Sequence, residues 1–194
     1  MLTALDAGTD RLRAGAADEP PAVVCVDGPS GSGKTTLAEA VCLLAVAQDA
    51  ERRGPSGRAP LRTHVLHTDE LLDGWDGLPT LAPALVQQVL SRLAERRVLQ
   101  HRRFDWYEGR FGSPRPVPVC DLLVVEGVGA GGLAVAPWSD LLVWIEAEAA
   151  ERKRRALLRD GRTYAPWFEF WSAQETGHHR RQRTRERADL RIST

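Results

Sequence analysis

The chain reads as an α/β protein, a three-layer α/β/α sandwich around a mostly parallel sheet of five strands. Short apolar runs alternate along it with longer stretches whose apolar residues recur every three or four positions. That is the strand–helix alternation of a parallel sheet covered by helices. Within the runs apolar residues follow one another directly, so each strand is expected to be buried on both faces. The length of 194 residues suits one domain with a sizeable core.

In chain order, residues 1–20 are polar with scattered charges and read as a flexible or weakly ordered segment ahead of a domain spanning 21–194. Ala22–Asp27 is the first strand. Leu37, Ala40, Val41 and Leu44 lay a helical stripe along residues 33–48. Residues 52–60, rich in Gly, Pro and Arg, form an exposed loop. Residues 63–68 make a second strand, less apolar because it carries His64 and His67. Leu81, Leu85, Val89 and Leu93 form another helical stripe. The unbroken run from Leu122 to Val125 marks a third strand over 121–126, and residues 140–145 mark a fourth. A basic helix follows over about 147–159. Trp167, Phe170, Trp171, Gln174 and His178 share one helical face, and residues 188–192 supply the last strand.

Composition excludes several classes. The 26 basic and 26 acidic side chains cancel, so no overall field marks a nucleic-acid or membrane-surface binder. Cys25, Cys42 and Cys120 show no metal-ligand spacing and no disulfide framework, and read as small buried hydrophobes. There is no signal-peptide h-region and no run near the ~20 apolar residues of a membrane helix. A cytoplasmic protein is expected, without nucleic-acid or membrane partners, and a homo-oligomer stays open. Lysine is scarce, at Lys34 and Lys153 alone, so a lysine in a special place is informative.

Directly after the first strand stands Gly28-Pro29-Ser30-Gly31-Ser32-Gly33-Lys34-Thr35, a complete G-x-x-x-x-G-K-[ST]. Glycines let backbone N–H groups converge on phosphate oxygens, and the helix that follows aims its positive end at the same anion. Chance supplies about 0.0015 such matches in a chain of this composition, and the required apolar strand and striped helix flank it. The loop is read as a nucleotide-phosphate site formed by Gly28, Ser30, Gly31, Ser32, Gly33, Lys34, Thr35 and Thr36. Lys34 reaches the β- and γ-phosphates and the Thr35 hydroxyl joins Mg²⁺.

Two acids stand at strand ends beside it. Asp69 follows the second strand at the sheet edge where ligands bind; the structural alternative is a helix N-cap. Glu126 closes the third strand and suits Mg²⁺, directly or through water, against a purely structural role. A third element is the run of six cations within residues 152–162. Arg155 and Arg159, at i and i+4, share a face able to close on a transferring phosphate. The alternative is a solvated or nucleic-acid-binding patch.

This ordered set resembles the uridine kinase-like group of P-loop small-molecule kinases, over about residues 22–192. Besides the loop, the shared features are Thr68-Asp69-Glu70 after the second strand and the aromatic-Asp-aromatic triplet Phe104-Asp105-Trp106. Glu126-Gly127, an Arg-rich lid with Arg152, Arg155, Arg159 and Asp160, and Ala188-Asp189 before the last strand complete them. The resemblance implies ATP and Mg²⁺ as cofactors and a small hydroxyl compound as acceptor, by default the 5′-hydroxyl of a pyrimidine nucleoside. The alternatives are a kinase of a non-nucleoside hydroxyl metabolite and an accessory P-loop ATPase. It implies Asp69 as acceptor of the hydroxyl proton and a further metal ligand, with Lys34, Arg155 and Arg159 on the phosphates. Two departures concern the acceptor. The segment after Asp69 is shorter than in nucleoside kinases, and Tyr107-Glu108-Gly109-Arg110 stands where the family offers a histidine. Candidate acceptor contacts are Trp75, Phe104, Asp105, Arg110 and Trp167; for the aromatics the alternative is packing.

Overall fold

The computed structural model describes residues 20–53, 59–95 and 100–194. The expected flexible segment, except Pro20, lies outside them, as do residues 54–58 of the expected loop. Five strands form one sheet in the order β2-β5-β1-β6-β7, and every neighbouring pair is parallel. They are β1 (Ala22–Asp27), β2 (Thr63–His67), β5 (Leu122–Glu126), β6 (Leu141–Glu146) and β7 (Leu190–Ser193). The α/β expectation is met, and each predicted strand lies within two residues of its expected bounds. Helices α1 (Lys34–Arg53), α2 (Leu78–Leu85), α3 (Ser91–Ala94), α4 (Ala149–Tyr164), α5 (Phe168–Gln182) and α6 (Thr184–Arg187) connect or cover them.

The strands bury both faces, as continuous apolar runs require. In β1, Val24 and Val26 pack with Ala38 and Cys42 of α1 in one cluster. Val23 and Cys25, on the alternate positions, join Leu81, Leu85, Val89, Leu93 and Trp171 in the other. Removing each such aliphatic side chain from water contributes about 1.5–3 kcal/mol. The three cysteines are free and buried, in keeping with small hydrophobes. No helix among the described residues is long and apolar enough to cross a membrane.

Two helices present faces other than the expected ones. In α1, Ala38 and Cys42 with Leu37, Val41 and Ala45 meet the sheet, whereas Leu44 is 60% exposed. The first turn of α1 is fixed by the glycine loop before it, so the loop sets which side of the helix meets the sheet. In α5 the buried residues are Trp171, Glu175, His178 and His179, while Phe170 and Trp167 stay exposed. This helix lies against polar groups of the loop after β1, which draws polar side chains inward. An antiparallel hairpin, β3 (Gln100–Asp105) and β4 (Arg110–Pro116), was not foreshadowed by periodicity; only two positions of β3 are buried.

β1 is the switch point of this topology. The chain leaves it for β2 on one side and later returns to β6 on the other, so a crevice opens at its carboxyl end. The glycine loop starts there.

Candidate functional site

The turn out of β1 needs glycine for steric reasons. Gly28 and Gly31 have φ of 154° and 78°; a β-carbon on them would collide with the carbonyl oxygens of Ile145 and Arg152. The loop therefore lies directly on β6 and on the first turns of α4. Asp27, fully buried at the end of β1, fastens its base. Its carboxylate accepts Gly28 N–H at 2.7 Å, Gly129 N–H at 3.0 Å and Gly131 N–H at 2.9 Å, and meets His179 Nε2 at 3.1 Å. Burial alone would raise this carboxyl, yet His179 and the backbone donors hold it below the usual range.

Ser30, in the middle of the loop, is held on every polar group. Its N–H donates to Glu175 Oε2 at 2.9 Å, and its hydroxyl accepts from Trp171 Nε1 at 2.9 Å. Its carbonyl accepts from Arg152 Nη1 at 3.3 Å, and the same guanidinium meets Glu175 Oε1 at 3.3 Å. Lys34 is buried with Nζ donating to Pro29 O at 2.9 Å. Burial pulls its ammonium below the ordinary value, opposed by Glu175 and then Glu126. Ser32 Oγ is buried with no hydrogen-bond partner among the described residues. Thr36 points outward from the first turn of α1.

At the neighbouring strand ends, Thr35 Oγ1 donates to Glu126 Oε1 at 3.1 Å. Glu126 is 5% exposed and also pairs with His67 Nδ1, which lies directly across the β2–β5 register. That bond raises the His67 imidazole. Thr35 and Glu126 are thus two oxygen donors beside the buried ammonium. This suits a hard divalent cation that takes one or two protein ligands and completes its shell with phosphate and water. No cluster of three or more His, Cys, Asp or Glu side chains able to hold a metal occurs among the described residues. The donor set fits Mg²⁺ shared with a phosphate and does not fit a protein-only cage.

Asp69 lies within the 3₁₀ turn Thr68–Glu70, whose N-cap is His67 without a side-chain capping bond. The capping alternative therefore does not describe Asp69. Its carboxyl accepts no hydrogen bond among the described residues, while its backbone carbonyl accepts from Trp106 Nε1 at 3.2 Å. Withdrawal from water and the charge of Glu126 raise the carboxyl, though the residue keeps an open face to solvent that limits the effect. The hairpin holds this turn from the other side, because Glu70 Oε2 binds His101 Nε2 at 2.7 Å.

The two lid arginines diverge. Arg159 forks onto Asp160 at 2.8 and 2.7 Å, and its charge is felt by Lys34 and, from the other sign, by Asp69. Arg155 instead bonds Glu151 Oε1 at 2.7 Å and Thr194 Oγ1 at 3.0 Å. Thr194 in turn donates to Ser32 O at 3.3 Å, so Arg155 is linked through Thr194 to the loop backbone. Just after Arg159, α4 breaks at Gly161, with φ 55° and ψ −132°.

Of the acceptor-side candidates, Trp75 and Trp167 come together, stacked with centroids 5.6 Å apart and planes at 14°. Trp75 also stacks on Tyr164 and meets Trp106 at 4.8 Å and the edge of Trp171 at 5.9 Å. Trp106 and Trp167 remain 37% and 43% exposed. Phe104 is buried and packs on Phe111 and Trp106 within the hairpin. Asp105 accepts from Tyr107 N–H and Glu108 N–H, closing its own turn. Arg110 is exposed at the hairpin tip, 3.7 Å from Glu108. Sequence reasoning missed Asp27, Glu175 and His179, and did not assign Arg152 and Trp171 to the loop. The contacts Asp27–His179, Ser30–Glu175, Ser30–Arg152 and Ser30–Trp171 each cross more than a hundred residues, and no local pattern signals them.

No protein-family model matches the chain, and no curated protein matches it in sequence. Solved structures do. One, named as a possible uridine kinase from Bacillus stearothermophilus, is similar at TM-score 0.61 and 19% identity over 97% of this chain and 98% of its own. Another, named as a candidate fructose transport system kinase from Silicibacter sp. TM1040, is similar at TM-score 0.55 and 19% identity over 98% of both chains. At that identity the likeness is one of fold: a mostly parallel five-stranded sheet flanked by helices.

Proposed function

We propose that this protein is an ATP-dependent small-molecule kinase that transfers the γ-phosphoryl of ATP to a hydroxyl group. The observation that carries this reading is the pairing of a braced glycine loop with a carboxylate, Asp69, that neither caps a helix nor accepts a hydrogen bond among the described residues. Loop amides and Lys34 hold the β- and γ-phosphates, so the phosphoryl group lies at the mouth of the crevice. Thr35 and Glu126 would hold Mg²⁺, which would offset phosphate charge when bound. Asp69 orients the acceptor hydroxyl and takes its proton as the new O–P bond forms. The bond from the γ-phosphorus to the β-phosphate oxygen breaks, and ADP departs. Arg159 offsets the charge on the transferring group. The link of Arg155 through Thr194 to the loop backbone supports a role in bracing it.

A pyrimidine nucleoside is the default acceptor. A non-nucleoside hydroxyl metabolite is favoured by one feature: Asp105 and Arg110, the polar groups available to read a base or ribose, are used within the hairpin. The two similar structures carry names with one acceptor of each kind. ADP release with Mg-ATP, screened first against nucleosides and then against sugars and other hydroxyl metabolites, tests the reading. Acceptor-dependent release well above background hydrolysis is expected; acceptor-independent hydrolysis throughout would favour the accessory ATPase instead.

A further inference from the structure

A loop built to receive phosphate is an unusual place for a buried carboxylate. Glu175 is 2% exposed, accepts the Ser30 N–H within the loop, and its charge opposes the effect of burial on the Lys34 ammonium, ahead of that of Glu126. A lone buried anion costs several kcal/mol. Here Arg152 offsets it, bridging Glu175 Oε1 and the Ser30 carbonyl. The Trp171 indole, one turn before Glu175, holds the Ser30 hydroxyl and touches Trp75 of the acceptor-side aromatic cluster.

We infer that Glu175 is a positioning residue that serves as an internal counter-anion of the phosphate loop, with Arg152 as the partner that sets its strength. It holds Ser30 in place before nucleotide arrives and opposes the incoming phosphates through its charge. The loop is thus kept in shape at some expense in nucleotide affinity, which favours release of ADP. This inference rests on the nucleotide site proposed above. It carries a signature that a simple structural ion pair lacks. Glu175→Gln keeps an oxygen for the Ser30 N–H but removes the charge and leaves Arg152 uncompensated beside the phosphates. Arg152→Met does the reverse.

Calorimetric titration of the full chain with Mg-ADP and Mg-ATP tests this, with urea unfolding to confirm that each variant is folded. Glu175→Gln is expected to bind about tenfold more tightly than wild type and Arg152→Met about tenfold more weakly, from the sign of a nearby unit charge. The double variant is expected to return to within about threefold of wild type. Parallel weakening in both single variants would overturn the inference, since that is what loss of a structural pair gives. Should Glu175→Gln not fold, Arg152→Met decides: weaker binding by the folded variant supports the inference, and unchanged or tighter binding overturns it. A wild type that binds neither nucleotide would remove the nucleotide site itself, and this inference with it. Wild-type affinity in every variant would remove only the assignment of Glu175.

Discussion

The crevice joins two halves made in different ways, a proposed phosphate side and a proposed acceptor side. On the phosphate side, position is set by backbone and by buried polar bonds: Gly28 against Ile145, Asp27 gathering three N–H groups and His179, and Ser30 held by Glu175, Trp171 and Arg152. On the acceptor side, position is set by aromatic side chains on a small separate hairpin and on the turns around Trp75 and Trp167. Two of those tryptophans keep more than a third of their surface in water. A half fastened through buried hydrogen bonds tolerates little change, because each lost partner strands another polar group. A half made of stacked rings can be repacked at modest cost. Under the proposed function, acceptor contacts can change at less cost than the phosphate loop.

Four changes should break or sharpen this contrast. Lys34→Ala, in the phosphate half, is expected to lower kcat/KM by about a thousandfold or more, as loss of a charge on the transferring phosphates does; steady-state ADP release measures it. Asp27→Ala is expected to destabilise the fold by about 3 kcal/mol, because it leaves three buried N–H groups and His179 without their acceptor. A urea-unfolding loss under 1 kcal/mol would mean the hub at the loop base is not what fastens it. In the acceptor half, Trp75→Leu is expected to raise the acceptor KM by about tenfold while leaving the KM for ATP unchanged. Equal changes in both constants would show the halves to be one unit.

The smallest effect belongs to the outer edge of the frame, where Arg185 forks onto Glu146 and, with the Trp144 indole, lowers its carboxyl to about 2. A folded-state pKa below the unfolded one gives stability that is present above about 4.5 and lost as pH falls toward 2. The pair is partly exposed, so under about 1 kcal/mol is expected. The stability gap between wild type and Arg185→Gln should be open at pH 6 and shrink by pH 3 in urea titrations.

The two halves also differ in what the sequence discloses. The glycine loop is legible because its demands are local: residues of fixed type at fixed spacing, between an apolar strand and a helix. Glu126 is legible because it closes an apolar run, and Asp69 because it follows one. The braces are not. Glu175 reaches Ser30 across 145 residues and His179 reaches Asp27 across 152, so only the folded chain brings them together. The same holds for the bond from Arg155 to Thr194, 39 residues away, which the i, i+4 relation of Arg155 to Arg159 does not signal. Leu44 followed helical spacing yet faces water, because the loop fixes how α1 is turned. The hairpin left no periodic trace, since its strands bury few side chains and β4 carries Pro114 and Pro116, residues suited to an edge.

The central claim is that phosphate binding and acceptor activation reside in separable groups, and Asp69 tests it most directly. Mg-ATP affinity by calorimetry and acceptor-dependent ADP release should be measured side by side on Asp69→Asn. Affinity within about threefold of wild type, with turnover lower by about 10²–10⁴-fold, is the expected result. Loss of Mg-ATP binding together with turnover would contradict it, by making Asp69 part of the metal and phosphate site rather than the group that takes the acceptor's proton.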